Sequence, residues 1–270
     1  MSKMRLTPSL SPRRFGVFNT LGLWTLYKKE VRRFLKVVTQ TIAAPVATTL
    51  LYMTVFAVAI GANRPSVNGV SFVEFLAPGL VLMSVLNNAF SNSSSTLLVS
   101  KVQGNTVDFL MPPLSALELW IAFVAGAMTR GILVAVVTLV TLIPFVDVMP
   151  SHIWAVLYFG VSAAAMLAMI GVIGGLWAEK FDHLAAVTTF VITPATFLSG
   201  TFYSVANLPD PIRLISQFNP FFYMIDGFRY GFTGAADGSL LIGIIVVLVI
   251  NLALGVASYG LLRAGWRLKS

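Results

Sequence analysis

Ser84–Thr96, SVLNNAFSNSSST, lies between two strongly apolar runs, FLAPGLVLM (Phe75–Met83) and LLV (Leu97–Val99). It holds no charge, no proline and no glycine. It is either a loop joining two hydrophobic pieces or an unusually polar part of a single helix. The number of membrane crossings, and with it the side on which each loop falls, depends on which.

The chain has 270 residues, 57% of them apolar and 10% charged, with a mean hydropathy of +0.86. A soluble domain carries about 25% charged residues, so the composition is that of a membrane protein. There is no cysteine, which excludes disulfides and thiolate metal sites. The formal charge is +8, but nine of the 18 Lys and Arg residues precede Val37. That placement points to membrane topology and not to nucleic acid. The first apolar run starts too late and is too long for a secretory signal, so it is expected to remain in the mature protein.

About 20 apolar residues are needed to cross a hydrocarbon core as a helix. Val37–Gly61, Trp120–Phe145, Ile153–Ala178, Ala185–Tyr203 and Leu240–Leu262 qualify. Phe75–Val99 qualifies only if the quoted stretch is helical. With six spans and both ends inside, fourteen basic residues fall on the cytoplasmic side and three (Arg64, Arg213, Arg229) outside. Arg130 falls within a span. With five spans the two basic tails would lie on opposite sides, against the positive-inside rule. The sequence therefore predicts an all-α polytopic membrane protein of six spans with both termini cytoplasmic.

Four regions are expected: a mobile tail over 1–14, an amphipathic helix over 15–36, a membrane domain over 37–262 and a short cytoplasmic tail over 263–270. In the second, Phe18, Leu21, Trp24, Tyr27, Val31, Phe34 and Leu35 recur at helical spacing. Lys28, Lys29, Arg32, Arg33 and Lys36 crowd the other side. Such a helix lies in the membrane interface. It can serve as a topological anchor, as a docking surface for a cytoplasmic partner, or as both.

Several chemistries lack their residues. There is no phosphate-loop pattern, no His-Glu-x-x-His and no Gly-x-Ser-x-Gly. His152 and His183 are isolated at predicted membrane edges, so neither a metal site nor a catalytic residue is expected. Paired carboxylates deep in a span, the mark of a proton relay, are missing. The energy for any transport must come from elsewhere.

Three segments carry positive information. In KVQGNTVDFLMPPLSALELW (Lys101–Trp120), Gly104 and Asn105 break one helix and Pro112-Pro113 stop a short second one. That short helix would present Val107, Asp108, Phe109, Leu110 and Met111 at the inner face. Ser115 and Glu118 have the spacing of a capping box for the third span. In Asn207–Gly238, Asn219-Pro220 divides an aromatic, apolar segment into two pieces too short to span. These read as re-entrant or interfacial helices, with Asp226 and Arg229 spaced for an i,i+3 ion pair. Finally, the quoted stretch wound as a helix puts Ser84, Asn87, Asn88, Ser91 and Ser95 on one face; beyond Ser91 it is polar all round. The polar face is either helix-to-helix glue or the wall of a path.

Together these segments resemble the permease subunit of type-two ATP-binding-cassette exporters. The resemblance is carried by FLAPGLVLMSVLNNAF (Phe75–Phe90), DFLMPPLSALELWIAFVAGAMTRG (Asp108–Gly131), EKFDHLAAVTTFVITPATFLSGTFYS (Glu179–Ser204) and NPFFYMIDGFRYGF (Asn219–Phe232). It covers the chain after about Phe15 and is nearest the small bacterial permeases of the nodulation-factor exporter branch. It implies an interfacial helix, six spans, a coupling helix between spans two and three, and re-entrant helices between spans five and six. It also implies pairing with a second permease copy and docking onto two separately encoded ATPase subunits, which would hold the ATP and Mg; this chain would hold no cofactor. Val107, Asp108, Phe109, Leu110 and Met111 would couple to the ATPase. Asn87, Asn88 and Ser91 of span two and Thr193, Thr196 and Ser199 of span five would face the path or the dimer seam. Asn219, Pro220, Asp226 and Arg229 would shape its outer end. Membrane lipids are the other expected partner, and nucleic acid is not one. The implied function is export of an amphipathic, glycan- or lipid-type substrate or a drug. The competing class is a non-transport scaffold or a lipid-modifying membrane protein, which would need neither a coupling helix nor a polar face along span two.

Overall fold

The computed structural model describes residues 18–61, 66–67, 69–147 and 149–268. The tail over 1–14 and the first three residues of the expected interfacial helix lie outside these. So do Arg64 and the last two residues.

The described chain is almost wholly helical. Helix α1 (Thr20–Leu35) is followed by α2 (Ala44–Phe56), which continues into π-helical segments at both ends (Thr39–Ala43 and Ala57–Gly61). A two-residue hairpin, β1 (Ser66–Val67) against β2 (Val70–Ser71), leads to α3 (Phe72–Val102). Then come α4 (Val107–Leu110), α5 (Ala116–Leu142), α6 (Ile153–Trp177), α7 (Phe181–Val187) and α8 (Thr193–Phe197). The chain ends in α9 (Asp210–Phe218), α10 (Pro220–Thr233) and α11 (Leu240–Arg263).

The quoted stretch is helical throughout. It lies inside the 31 residues of α3, which opens with a capping box between Ser71 and Glu74. Helix α3 is the centre of the bundle: 72% of its apolar window is buried, against 11% for the helices over Thr39–Ala59 and Leu240–Arg263. Those two present apolar side chains outward (Leu51, Val55, Leu248 and Leu252 among them), as a lipid-facing helix must.

Among the described residues, five helices are long and apolar enough to cross a membrane: Thr39–Ala59, Phe72–Val102, Ala116–Leu142, Ile153–Trp177 and Leu240–Arg263. The predicted span Ala185–Tyr203 is not among them. It corresponds to α7, a π-helical segment (Thr188–Ile192) and α8, in pieces of seven, five and five residues. At about 1.5 Å per residue that rod falls short of a hydrocarbon core of about 30 Å. A turn over 198–204 continues from it.

The two π segments that precede a helix share a cause. Thr39–Ala43 comes just before Pro45, and Thr188–Ile192 just before Pro194. Proline has no N–H for the carbonyl four residues back and its ring crowds that carbonyl. Those carbonyls belong to Thr41 and Phe190, inside the two π segments, where a widened turn relieves the clash.

Beyond Ser91, where the sequence is polar all round, α3 packs closely on α6. Asn92, Ser93, Ser94 and Thr96 are all buried. A Cβ on Gly171 would stand 2.1 Å from Ser93 Oγ, and one on Gly175 2.8 Å from the Ser94 carbonyl oxygen. Two glycines four apart thus admit two serines, the small-residue contact of membrane helices. Ser93 Oγ donates to the Ala168 carbonyl at 2.8 Å and ties the two helices. At the end of α6, Lys101 Nζ donates to the Leu176 and Ala178 carbonyls at 2.7 and 2.5 Å, where a helix terminus leaves acceptors unpaired.

Candidate functional site: a helical platform, a midplane cavity and an arginine anchor

The platform is built around α4. Gly104, at φ +71°, ends the α3 segment, and Pro112-Pro113 end α4 after a single turn. Val107, Leu110 and Met111 are exposed. Phe109 does not project as expected. It is buried, edge-on to Phe123 of α5 with 5.4 Å between ring centres, and it anchors the turn that presents the others. The Ser115–Glu118 capping box is present, with Ser115 N donating to Glu118 Oε2 at 2.6 Å. Glu118 does more than the sequence suggested: its Oε1 accepts from the backbone N–H of Asn19, the N-cap of α1. Asn19 Nδ2 donates in turn to the Pro113 carbonyl at 3.1 Å. One carboxylate therefore joins the starts of α1 and α5 beside α4. Between α1 and α4 lies a groove of about 300 Å³, lined by Leu21, Thr25, Lys29, Asp108 and Pro112 among others.

Helix α1 is partly as expected. Phe18, Leu21, Trp24 and Leu35 are exposed, as membrane-interface residues are, and Phe34 is buried. Arg33 departs from the basic outer face. It pairs with the buried Glu30 at 3.2 Å and donates to the Asn92 carbonyl at 2.8 Å and to Ser95 Oγ at 3.3 Å. Thr96 Oγ1 donates to the same Glu30 carboxylate at 2.7 Å. The interfacial helix is thereby clamped to the polar end of α3. A buried acid within an otherwise basic helix was the available signal, because a buried charge requires a partner.

The cavity opens at the middle of the membrane bundle, between α2, α3 and α5. Its volume is about 320 Å³, and Ser84, Asn87, Asn88, Thr49, Gln40 and Arg130 contribute its polar groups. Asn88 Nδ2 donates to the Ser84 carbonyl, which leaves its Oδ1 to accept from Arg130 Nε at 3.1 Å. Ser91 is exposed below it. The polar face of the quoted stretch thus divides. Ser84, Asn87 and Asn88 border the cavity, while Ser93 and Ser94 cement α3 to α6. The span-five residues do not line up with them. Thr193 is half-exposed, but Thr196 and Ser199 are fully buried. Thr196 Oγ1 donates to the Ile192 carbonyl at 2.7 Å, and Ser199 Oγ to the Thr196 carbonyl. These bonds close the end of α8.

The anchor is at the opposite end from α4. Asn219 caps α10 by accepting from Phe221 N at 3.1 Å, and its Nδ2 donates to the Ala195 carbonyl at 2.5 Å. Pro220 occupies the first turn, where no N–H is needed. The expected Asp226–Arg229 ion pair is not formed. Arg229 donates Nε to the Phe75 carbonyl at 3.0 Å and Nη2 to the Gly200 carbonyl at 2.7 Å. Asp226 accepts from the N–H groups of Asp237 and Gly238 at 2.8 and 2.9 Å. Both side chains are buried; Arg229 ties the first turn of α3 to the Gly200 carbonyl of a turn, and Asp226 satisfies two loop N–H groups. Gly79 makes room: a Cβ there would meet the Thr201 carbonyl oxygen at 2.8 Å and Arg229 Nη2 at 3.2 Å.

Among the described residues, no three His, Asp or Glu side chains are grouped to hold a metal ion. The arrangement is that of a polytopic helical membrane protein with a platform at one end, a polar cavity at mid-depth and a packed half-helix at the other end. Residues 22–233 match the family described as ABC-2 type transporter, and the chain belongs to that family. It is 35% identical over 254 residues to the inner membrane transport permease YadH of Escherichia coli K12, covering 93% of this chain and 98% of that one. It is 25% identical over 244 residues to nodulation protein J of Rhizobium leguminosarum bv. viciae, covering 87% and 91%. With nodulation protein J of Rhizobium meliloti it shares 22% over 214 residues, covering 78% and 80%. The chain is a transporter permease, a multi-pass protein of the inner membrane.

Proposed function

We propose that this permease is the membrane subunit of an exporter driven by a separate ATP-binding-cassette ATPase, with α4 as the element the ATPase grips. The observation that carries this reading is the single helical turn held proud of the bundle. Val107, Leu110 and Met111 are bare, while Phe109 and Glu118 hold the turn to α5 and α1. Apolar side chains on a short projecting helix are suited to a groove on a partner. Two permease copies and two ATPases would form the working unit, with both permease termini cytoplasmic. ATP and Mg would be held by the ATPase. The shorter helical rod of α7 and α8, with the turn that follows, would complete six crossings, and α9 and α10 would enter the membrane from the outer side.

The polar cavity beside α2 and α3 would receive cargo, an amphipathic molecule of lipid, glycan or drug type. Asn87 and Asn88 are the residues of the quoted stretch placed to touch it. Thr196 and Ser199 are better explained as the internal hydrogen bonds of α8. Co-expression with the cognate ATPase tests the proposal. A co-purifying complex whose ATP hydrolysis requires both subunits supports it. An ATPase that neither binds the permease nor changes its rate in the permease's presence rejects it.

A further inference from the structure

We infer that Arg130 makes the midplane cavity a binding site for an oxyanion, a phosphoryl or carboxylate group carried on an amphipathic molecule. Arg130 stands at the centre of the 27-residue α5, and its helix neighbours are apolar or small. A guanidinium at that depth is expensive and is normally paired or turned to an aqueous or functional cavity. Among the described residues its hydrogen-bond partner is the Asn88 amide oxygen, met by Nε alone. Among the described residues no carboxylate forms an ion pair with it. Helix α2 contributes Gln40, Thr48, Thr49 and Tyr52 to the cavity, α3 contributes Ser84, Asn87 and Asn88, and α5 contributes Arg130 itself.

The two Nη groups are thus left for the cavity. A guanidinium fork matches a carboxylate or a phosphoryl group through two parallel hydrogen bonds. Asn87, whose Nδ2 donates one hydrogen to the Met83 carbonyl, keeps a second for a remaining oxygen, and the Thr49–Ser84 hydroxyl pair, 3.1 Å apart, keeps one proton between them. The volume, about 320 Å³, suits a headgroup and not a whole lipid. The apolar wall from Pro45, Leu80 and Met83 suits the start of a hydrocarbon chain. The cavity would therefore select an amphiphile whose polar end is anionic over one that is neutral or cationic. This deepens the permease reading and rests on it for its biological role. The binding test below uses the permease without ATP or ATPase, so its outcome is independent of whether coupling is correct.

The natural absence of cysteine allows a single reporter, Thr48→Cys, at the rim of the cavity. The permease is placed in nanodiscs of phosphatidylcholine, and the rate of maleimide labelling is followed. Dodecyl phosphate should slow labelling, while dodecyl maltoside and dodecyltrimethylammonium should not. Arg130→Gln should weaken the protection about tenfold or more, the value of one charge-assisted pair. Asn88→Asp should do the same by placing a carboxylate against the guanidinium; it serves as a second variant because it keeps the arginine and should fold. Nanodiscs containing phosphatidylglycerol separate the sources. Slow labelling without added amphiphile, lost in Arg130→Gln, identifies a bilayer lipid as the occupant. Protection only on adding dodecyl phosphate identifies exchangeable cargo. Equal protection by all three amphiphiles, or protection unchanged in both variants, overturns the inference.

Discussion

Arg229 lies with its guanidinium carbon 3.7 Å from the centre of the Phe75 ring and donates to the carbonyl of the same residue at 3.0 Å. One side chain thus grips both the ring and the backbone of the first turn of α3, from α10. It is buried and holds the Gly200 carbonyl as well. Arg229→Met should leave these carbonyls unpaired and destabilise the protein by about 2–4 kcal/mol. Arg229→Lys should recover only part, because an ammonium lacks the planar fork. Thermal unfolding in detergent measures both; equal stability of wild type and Arg229→Met would refute the anchor.

Gly171→Ala tests the α3–α6 contact. The added methyl would meet Ser93 Oγ at 2.1 Å and the Phe90 carbonyl oxygen at 2.6 Å. Overpacking of this kind costs about 1–3 kcal/mol. Gly260→Ala, where no atom lies within 4 Å of the new methyl, is the control and should leave the melting temperature unchanged or slightly raised. The pair of melting curves decides the matter, and identical shifts would refute the packing account.

Glu118→Ala removes the N3 partner of the Ser115 box and the acceptor for Asn19 N together. Loss of a cap costs about 1 kcal/mol; here two helix starts lose support. Glu118→Gln keeps an N3 acceptor and should be milder. Limited proteolysis should cut within α1 faster in the alanine variant. Unchanged cleavage would show that α1 is held without this carboxylate.

Phe109 and Met111 should behave oppositely. Phe109→Ala empties a buried site against Phe123 and should cost about 3–5 kcal/mol. Met111→Glu changes a fully bare position, 79% exposed, and should alter stability by less than about 0.5 kcal/mol. It should nonetheless abolish ATPase coupling in the complex. Full transport by a well-folded Met111→Glu protein would remove α4 from the interface.

Much of the fold was legible because membrane burial writes long signals. Parity of the basic tails was enough to make Ser84–Thr96 helical, and Gly104, Pro112-Pro113, Ser115, Glu118 and Asn219-Pro220 each mark the break or cap they form. Contacts were less legible than elements. Spacing put Asp226 beside Arg229, but each found backbone groups elsewhere, Arg229 in the first turn of α3 and Asp226 in the loop after α10. Spacing also put Arg33 among the outward bases, where only the position of Asn92 and Ser95 could reveal its partners on α3. The serines beyond Ser91 gave no sign of their contact with α6, because serine is equally at home in water and against a glycine of another helix. Thr196 and Ser199 were set facing the path or dimer seam by the family resemblance alone, and no spacing in the sequence showed the hydrogen bonds they make at the end of α8.

The paired π segments before Pro45 and Pro194 give the bundle compliance where it needs it. A widened turn can tighten to an α turn by exchanging hydrogen-bond partners along the same strand of carbonyls, which rotates one half of the rod about its axis without breaking the rod. The helix beside the cavity and the broken rod of α7 and α8 each hold one such joint. These two rods thus each hold a place of local torsional give, while α3, the most deeply buried span, runs as unbroken α-helix from Phe72 to Val102.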